Sequence, residues 1–171
     1  TLAEAYGELT GQLELQRVVL AYQQELIAAG TDDEVFRALF RLFCRRSGAV
    51  FGVAMACDAQ AQLGIVGRFG VPGPDSMAFA QALSAPLVDD TLQTPECMLL
   101  DAGRQAERFD ASIRRYLVGL TVLTVPLLPA SGEMIGLVVL YRKGEQPFTD
   151  DDVALAEMIA TATALAIRRN D

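Results

Sequence analysis

Apolar positions return every three or four residues at the start of the chain. Leu2, Tyr6, Leu9 and Leu13 make one stripe, and Leu15, Val19, Tyr22 and Leu26 make a second, rotated from the first. This spacing predicts a helix over residues 2–29, closed by Gly30 as a C′ glycine. Thr31 and Glu34 have the T-x-x-E spacing of a capping box, which starts a second helix reaching about Ser47. Its face of Phe36, Leu39, Phe40 and Phe43 is broad enough to demand burial. The pattern then becomes strand-like over residues 49–57 and 63–71, separated by the polar "DAQAQ" of a hairpin. An apolar helix near residues 75–83, a short strand at 98–100 and a helix near 104–117 follow. "LTVLTVPLL" and "MIGLVVLY", joined through "PASGE", give strands over 120–128 and 134–141.

Turns this short allow only antiparallel pairing, because parallel neighbours need a long crossover. The strands at 120–128 and 134–141 are apolar on both alternating faces, so both faces must be covered. The fold class that satisfies both demands is α+β: a central antiparallel sheet of five or six strands with helices on both faces. No internal repeat or low-complexity stretch interrupts it.

The chain has 171 residues, 51% of them apolar and 21% charged, which suits one folded domain with a sizeable core. A net charge of −8 disfavours nucleic acid, which needs a clustered basic surface, and an anionic membrane surface alike. No apolar run approaches a membrane-spanning length and no signal peptide opens the chain. The three cysteines are too few and too scattered for a disulfide framework, which suggests a reducing, cytoplasmic setting. The missing initiator Met and the closing helical pattern suggest a piece of a longer protein.

There is no histidine. That removes Ser-His-Asp and Cys-His nucleophiles, imidazole zinc sites and His-ligated haem. The common phosphate-cradling glycine loops are absent too. Of the cysteines, Cys44 and Cys57 read as small buried hydrophobes. Cys97, in the loop "TPECMLL", is the candidate reactive thiol, although neighbouring Glu96 disfavours its thiolate and no base adjoins it.

"FTDDDV" puts Asp150, Asp151 and Asp152 in a row. With Thr149 as N-cap, Asp152 falls at N3 and completes a capping box. Asp150 and Asp151 meet the positive end of the helix dipole, and Phe148 and Val153 are spaced as a hydrophobic staple. Arg168 and Arg169 have the favourable sign at the far end. Consecutive helical residues diverge by about 100°, which makes a poor metal site, so the aspartates are read as the start of a helix.

The segment from Val125 to Ala166 resembles the C-terminal half of a GAF domain. Val125-Pro126-Leu127 ends a strand, Ile135-Gly136-Leu137-Val138-Val139-Leu140 follows the I-G-x-L-x-L pattern, and Phe148-Thr149 with Asp152 matches F-T-x-x-D. The order of helices and strands over residues 1–71 agrees. The resemblance implies a small-molecule-sensing or dimerising regulatory domain of a larger signalling protein, such as a histidine kinase in a two-component system. It implies no catalysis by this domain.

Specialised branches of the family can be compared residue by residue. Bilin-binding members use a cysteine thioether beside a histidine, and haem binders need a histidine ligand; neither is available, so no cofactor is expected. The Asn-Lys…Phe-x-x-x-Asp-Glu signature of cyclic-nucleotide binders here reads Arg142-Lys143…Phe148-x-x-x-Asp152-Val153, without the Asn and the Glu. The alternatives to a sensor are a cysteine-dependent methionine-sulfoxide reductase and a ligand-free dimerisation scaffold.

The resemblance also divides the chain into a signalling or dimerising helix (residues 1–30) and the domain proper (31–171). It places an unidentified small ligand between the sheet and the elements after the second strand. Phe79, Met98, Leu100, Phe109, Tyr116 and Val122 are then candidate walls, with Arg68, Arg114 and Arg115 as candidate anchors. Residues 2–13 are expected to project and seek a second copy, and residues 15–26 to pack on the sheet. Ala156, Ile159, Ala160 and Thr163, with Met158, Ala162 and Leu165 on another face of the last helix, would let a partner helix approach. A homodimer through the terminal helices is the expected assembly.

Overall fold

The computed structural model describes residues 1–47, 50–70, 76–130, 132–144 and 147–170. Nine helices and strands are described: α1 (Leu2–Ala28), α2 (Asp32–Ser47), β1 (Phe51–Cys57), β2 (Leu63–Phe69), α3 (Ser76–Gln93), β3 (Met98–Asp101), β4 (Leu120–Leu127), β5 (Gly136–Lys143) and α4 (Asp150–Asn170). The strands form one sheet in the order β2-β1-β5-β4-β3, antiparallel at every step. Predicted strand residues Ala49 and Val71, and the predicted helix start at Asp75, lie outside the described residues.

Alternation along the central strands supplies two cores. Leu123, Val125, Leu127, Val138 and Leu140 face α2 and α4. Leu120, Val122, Leu137, Val139 and Tyr141 face α3 and the segment after β3. Both faces of β4 and β5 are buried, as their double-sided apolar pattern demands. In β2 the register slips opposite Ala54/Met55, where Val66 is the extra residue of a bulge. Ile65 therefore faces α3, whereas Phe69 crosses to the other face and stacks on Phe40 with ring centroids 3.9 Å apart.

The glycine of the I-G-x-L pattern has a packing reason. A Cβ on Gly136 would sit 2.7 Å from the Met55 carbonyl oxygen on neighbouring β1. Gly136→Ala should therefore cost about 2 kcal/mol through forced separation of the strands, lowering Tm by roughly 6 °C in a thermal melt.

Three element predictions differ from the structure. The helix expected to end near Leu83 continues through Pro86 to Gln93. Ala80, Leu83, Leu87 and Thr91 form one buried stripe, and their burial outweighs the hydrogen bond that Pro86 removes. The helix expected over residues 104–117 is replaced by two single 3₁₀ turns, Ala106–Arg108 and Arg114–Tyr116. Asp101 Oδ1 accepts from the N–H groups of Gly103 and Arg104, and Asp110 Oδ1 accepts from that of Ser112. These turns compete with a continuous helix. Finally, α1 ends at Ala28 with Ala29 extended, and Gly30 is not in the left-handed conformation of a C′ glycine. Gly30 instead donates its N–H to Glu34, while Thr31 Oγ1 accepts from the Glu34 N–H.

Candidate functional site

The α3 face gathers much of the predicted pocket. Phe109 and Val122 are buried there, with Phe79 and Leu100 partly buried at its margin. Met98 shares the side of Leu100 by strand alternation and is also partly buried. Tyr116 lies at the rim, exposed, with its ring edge-on to Phe79 at 5.2 Å. The bulge at Val66 pairs Arg68 with Val53, which turns Arg68 toward this same face.

The two other arginines have local partners. Arg114 Nε donates to the Phe109 carbonyl at 3.1 Å and so ties the two 3₁₀ turns together. Arg115 lies over the Tyr116 ring at 4.7 Å and donates to its hydroxyl at 2.6 Å. On the outer surface, a groove of about 670 Å³ runs between α3 and the Arg108–Asp110 turn, with Phe109 in its wall.

Tyr141 was not foreseen at this face. Its ring stacks on Phe51 at 5.3 Å, and its hydroxyl is buried with no hydrogen-bond partner among the described residues. Burial pushes the phenol well above its ordinary range. An aromatic in a β-branched run reads as core, and nothing local signals an orphaned hydroxyl.

A second constellation joins the two ends of the chain. The second half of α1 packs on α4 and α2 rather than on the sheet, burying Val19, Tyr22 and Leu26. The Tyr22 hydroxyl donates to Thr163 Oγ1 at 2.7 Å, and the Thr163 hydroxyl donates in turn to the Ile159 carbonyl at 2.8 Å. Arg169 Nη2 donates to the carbonyls of Leu26 and Ala29, at 2.8 and 2.7 Å. Tyr22 meets Thr163 while Leu26 and Ala29 meet Arg169, so α1 and α4 run in the same direction. Arg169 thus caps α1 in the place predicted for glycine. Arg169→Ala should cost about 1–2 kcal/mol, seen as a lower Tm with faster amide exchange at the end of α1.

The other side of α1 carries an apolar line. Leu2, Tyr6, Leu9, Leu13, Leu20 and Ile27 are all exposed, from 53% at Leu13 to 81% at Leu2. Their spacing is that of a and d positions in a heptad, with Gln16 and Gln23 filling the two gaps. The predicted stripe over residues 2–13 therefore continues along the whole helix, beside the face that packs on α4. Met158 and Leu165 of α4 are likewise exposed. Ala156, Ile159 and Thr163 are buried, the last of these against Tyr22.

The thiols differ from one another. Cys97 packs against the α2/α4 core, and burial with the carboxylate of Glu157 pushes its pKa up to about 12. The neighbouring charge is thus Glu157 of α4, where the sequence pointed to Glu96. Burial and Asp58 also raise Cys57, whose Sγ donates to the Met134 carbonyl. Cys44, expected inside, is exposed, because it falls just outside the stripe of Phe36, Phe40 and Phe43. Among the described residues no three metal-ligating side chains converge, and no helix is long and apolar enough to cross a membrane.

At the start of α4 the capping box has formed. Asp152 accepts from the Thr149 N–H at 2.8 Å, and the Asp152 N–H reaches back to Thr149 Oγ1 at 3.4 Å. Phe148 and Val153 both join the α2/α4 core, as a staple should. Asp152 has a further role: it is 3% exposed and faces Arg142 of β5, itself 2% exposed, across 3.9 Å.

The family model of the GAF domain matches residues 7–167. Comparison with curated proteins gives no match. Among solved structures, the chain is similar to the GAF domain of a phosphoenolpyruvate-protein phosphotransferase from Coxiella burnetii. The TM-score is 0.70 at 14% identity, covering 92% of this chain and 94% of that one. The GAF domain of a putative sensor histidine kinase from Pseudomonas syringae pv. tomato gives 0.66 at 17% identity, covering 97% and 93%. A GAF domain/HD domain protein from Geobacter sulfurreducens gives 0.65 at 22% identity, covering 81% and 93%. With the five-stranded antiparallel sheet flanked by helices and a match over nearly its whole length, the chain belongs to the GAF domain family.

Proposed function

We propose that this domain is a non-catalytic regulatory unit of a larger signal-transduction protein, joined to a second copy through its terminal helices. GAF domains are in general regulatory modules, and the present reading adds how this one would act. The observation that carries it is the exposed heptad line on α1, on the same helix that Tyr22 and Arg169 fasten to α4. A partner lying on that line would sense any displacement of α1, and α4 would follow through the buried hydroxyl pair and the arginine clasp. Shifts between two such packings typically carry a coupling of about 1–3 kcal/mol.

The α3 face is the proposed ligand position. The buried orphan hydroxyl of Tyr141 and the turned Arg68 add polar groups to the apolar surroundings of Phe79, Met98, Leu100, Phe109 and Val122, with Arg114, Arg115 and Tyr116 at the rim. Mostly apolar walls with a few polar groups are what small-molecule sites require.

Cys97 supports the non-catalytic part. A thiol held at about 12 is protonated at neutral pH, and only the thiolate is nucleophilic.

Sedimentation equilibrium on the intact chain at micromolar concentration should return twice the 18.4 kDa mass. A monomer would remove the dimer reading. Reduction of methionine sulfoxide that Cys97→Ser abolishes would replace the regulatory reading with an enzymatic one.

A further inference from the structure

Arg142 is a buried guanidinium with open donors. Its Nη1 approaches Asp152 at 3.9 Å and its Cζ lies 4.6 Å over the Phe148 ring, yet among the described residues Nε and Nη2 have no hydrogen-bond partner. Those two N–H groups share one edge of the planar head, the edge that takes both oxygens of a carboxylate-like anion side by side. Buried charge with unpaired donors is costly, so an acceptor in that place would be strongly held.

The neighbour of that edge follows from the register. Phe51, the first residue of β1, pairs with Tyr141, and the next residue outward on each strand is Val50 on one side and Arg142 on the other. Cys44 Sγ lies 3.8 Å from the Val50 carbonyl oxygen. Phe43, one residue earlier, meets edge-on the same Phe148 ring that covers Arg142, at 6.5 Å. The exposed Cys44 thiol thus shares with Arg142 the neighbourhood of Val50 and Phe148, close enough for its charge to act on the guanidinium. Burial lowers the Arg142 guanidinium, and the charges of Asp152 and then of Cys44 oppose that effect.

We propose that Cys44 is a peroxide-sensitive modification site whose oxidised, anionic sulfur is bound by the free edge of Arg142. The Cys44 thiolate attacks one oxygen of hydrogen peroxide. An S–O bond forms, the O–O bond breaks, and the departing hydroxide takes up a proton as water. Sulfur is oxidised by two electrons and peroxide is reduced by two, leaving a sulfenate. A second equivalent repeats the step and gives the sulfinate, with two oxygens and one negative charge, the shape that the Nε and Nη2 edge accepts. Among the described residues the charges acting on Cys57 and Cys97 are the carboxylates of Asp58 and Glu157, so these two thiols serve as internal controls. Arg142 acts here as a positioning residue.

Two measurements test this. Treatment of the intact chain with about 1 mM peroxide, followed by peptide mapping, should place sulfinate on Cys44 while Cys57 and Cys97 stay reduced. Exposure alone also favours Cys44 as the target, so the deciding readout is stability. A chain carrying Cys44→Asp, which puts two oxygens and one charge where the sulfinate would be, should melt at least about 3 °C above one carrying Cys44→Asn. Position 44 is near the C-terminus of α2, where the helix dipole disfavours an anion, so a gain reports on Arg142 and not on the helix. Arg142→Met should erase the difference between Asp and Asn. If that variant does not fold, the comparison in the native background still decides. Oxidation of Cys57 or Cys97 as fast as Cys44, or an Asp variant no more stable than the Asn variant, would overturn the proposal.

Discussion

Asp152→Ala should lower the unfolding free energy by about 3–5 kcal/mol and the melting temperature by roughly 10 °C or more. Two losses combine. The substitution removes the carboxylate that accepts from the Thr149 N–H at the start of α4, a capping contribution of about 1 kcal/mol. It also leaves the Arg142 guanidinium, 2% exposed, without its counter-ion. A buried charge with no partner is far more costly than a lost surface pair. The pair itself need not be strongly stabilising, because both ions were taken out of water to form it. The double variant Arg142→Met with Asp152→Ala should therefore recover most of the loss, since an apolar chain suits the surroundings of Phe148, Phe43 and Leu140. Equilibrium unfolding of the two single variants and the double one gives the coupling directly. A cost for Asp152→Ala near 1 kcal/mol would mean that only the cap was lost and that the charge on Arg142 is satisfied in another way.

That ion pair also marks a boundary of what can be read from residues alone. Thr149, Asp152, Phe148 and Val153 lie within five residues of one another, and their cap and staple were legible because the contacts are local. Arg142 belongs to β5 and reaches Asp152 only because strand alternation turns it to the α4 side. For the same reason Arg169 was read as a favourable charge at the end of α4, and not as the cap of α1, some 140 residues earlier. Part of the sheet was legible: short turns fixed the β1–β2 and β4–β5 pairings, and apolar residues on both faces of β4 and β5 required two covering layers, whereas the β1–β5 and β3–β4 pairings join strands that no short turn connects. The segment after β3 was not, because Asp101 and Asp110 fold it into turns that helical periodicity does not reveal. Pro86 misled in the opposite direction, where burial of Leu83 and Leu87 carried α3 past it.

The candidate site divides in the same way. Phe79, Leu100, Phe109 and Val122 were legible as apolar residues from elements that had to meet. The orientation of Arg68 depends on one extra residue, Val66, in the bulge. The orphan state of the Tyr141 hydroxyl depends on all its neighbours at once. On α1 the rotation of the stripe after Leu13 was visible. That Leu20 and Ile27 continue the outer line became apparent only when the packing of Val19, Tyr22 and Leu26 showed which side was taken.

The second large effect concerns that outer line. Leu9→Glu together with Leu13→Glu should raise the dimer dissociation constant by at least about a thousandfold, while the melting temperature of the separated domain changes little. Each substitution occurs twice in a symmetric dimer. Removing four leucines from an apolar seam forfeits about 6 kcal/mol at the low end of the value of a buried leucine, more than the roughly 4 kcal/mol of a thousandfold change. The acidic side chains would also repel across the seam, as like charges facing each other do. Both positions are exposed within one copy, so folding of the domain should be spared. Sedimentation at several concentrations would separate the two effects. An unchanged dissociation constant would move the contact to Met158 and Leu165 of α4, the other exposed apolar residues of the terminal helices.

Cross-linking at a single α1 position tests the central claim most directly. In a chain whose native thiols are replaced (Cys44→Ser, Cys57→Ser, Cys97→Ala), Leu9→Cys puts one sulfur on the heptad line. If two copies join in parallel along α1, each Cys at position 9 faces its counterpart, and mild oxidation should convert most of the protein to a covalent dimer. A thiol placed instead at position 18, which with Leu15 packs against the α2/α4 core, should remain uncoupled. Rapid disulfide formation at position 9 and none at position 18 is the predicted result. Equal, slow cross-linking at both positions, or none at either, would contradict it.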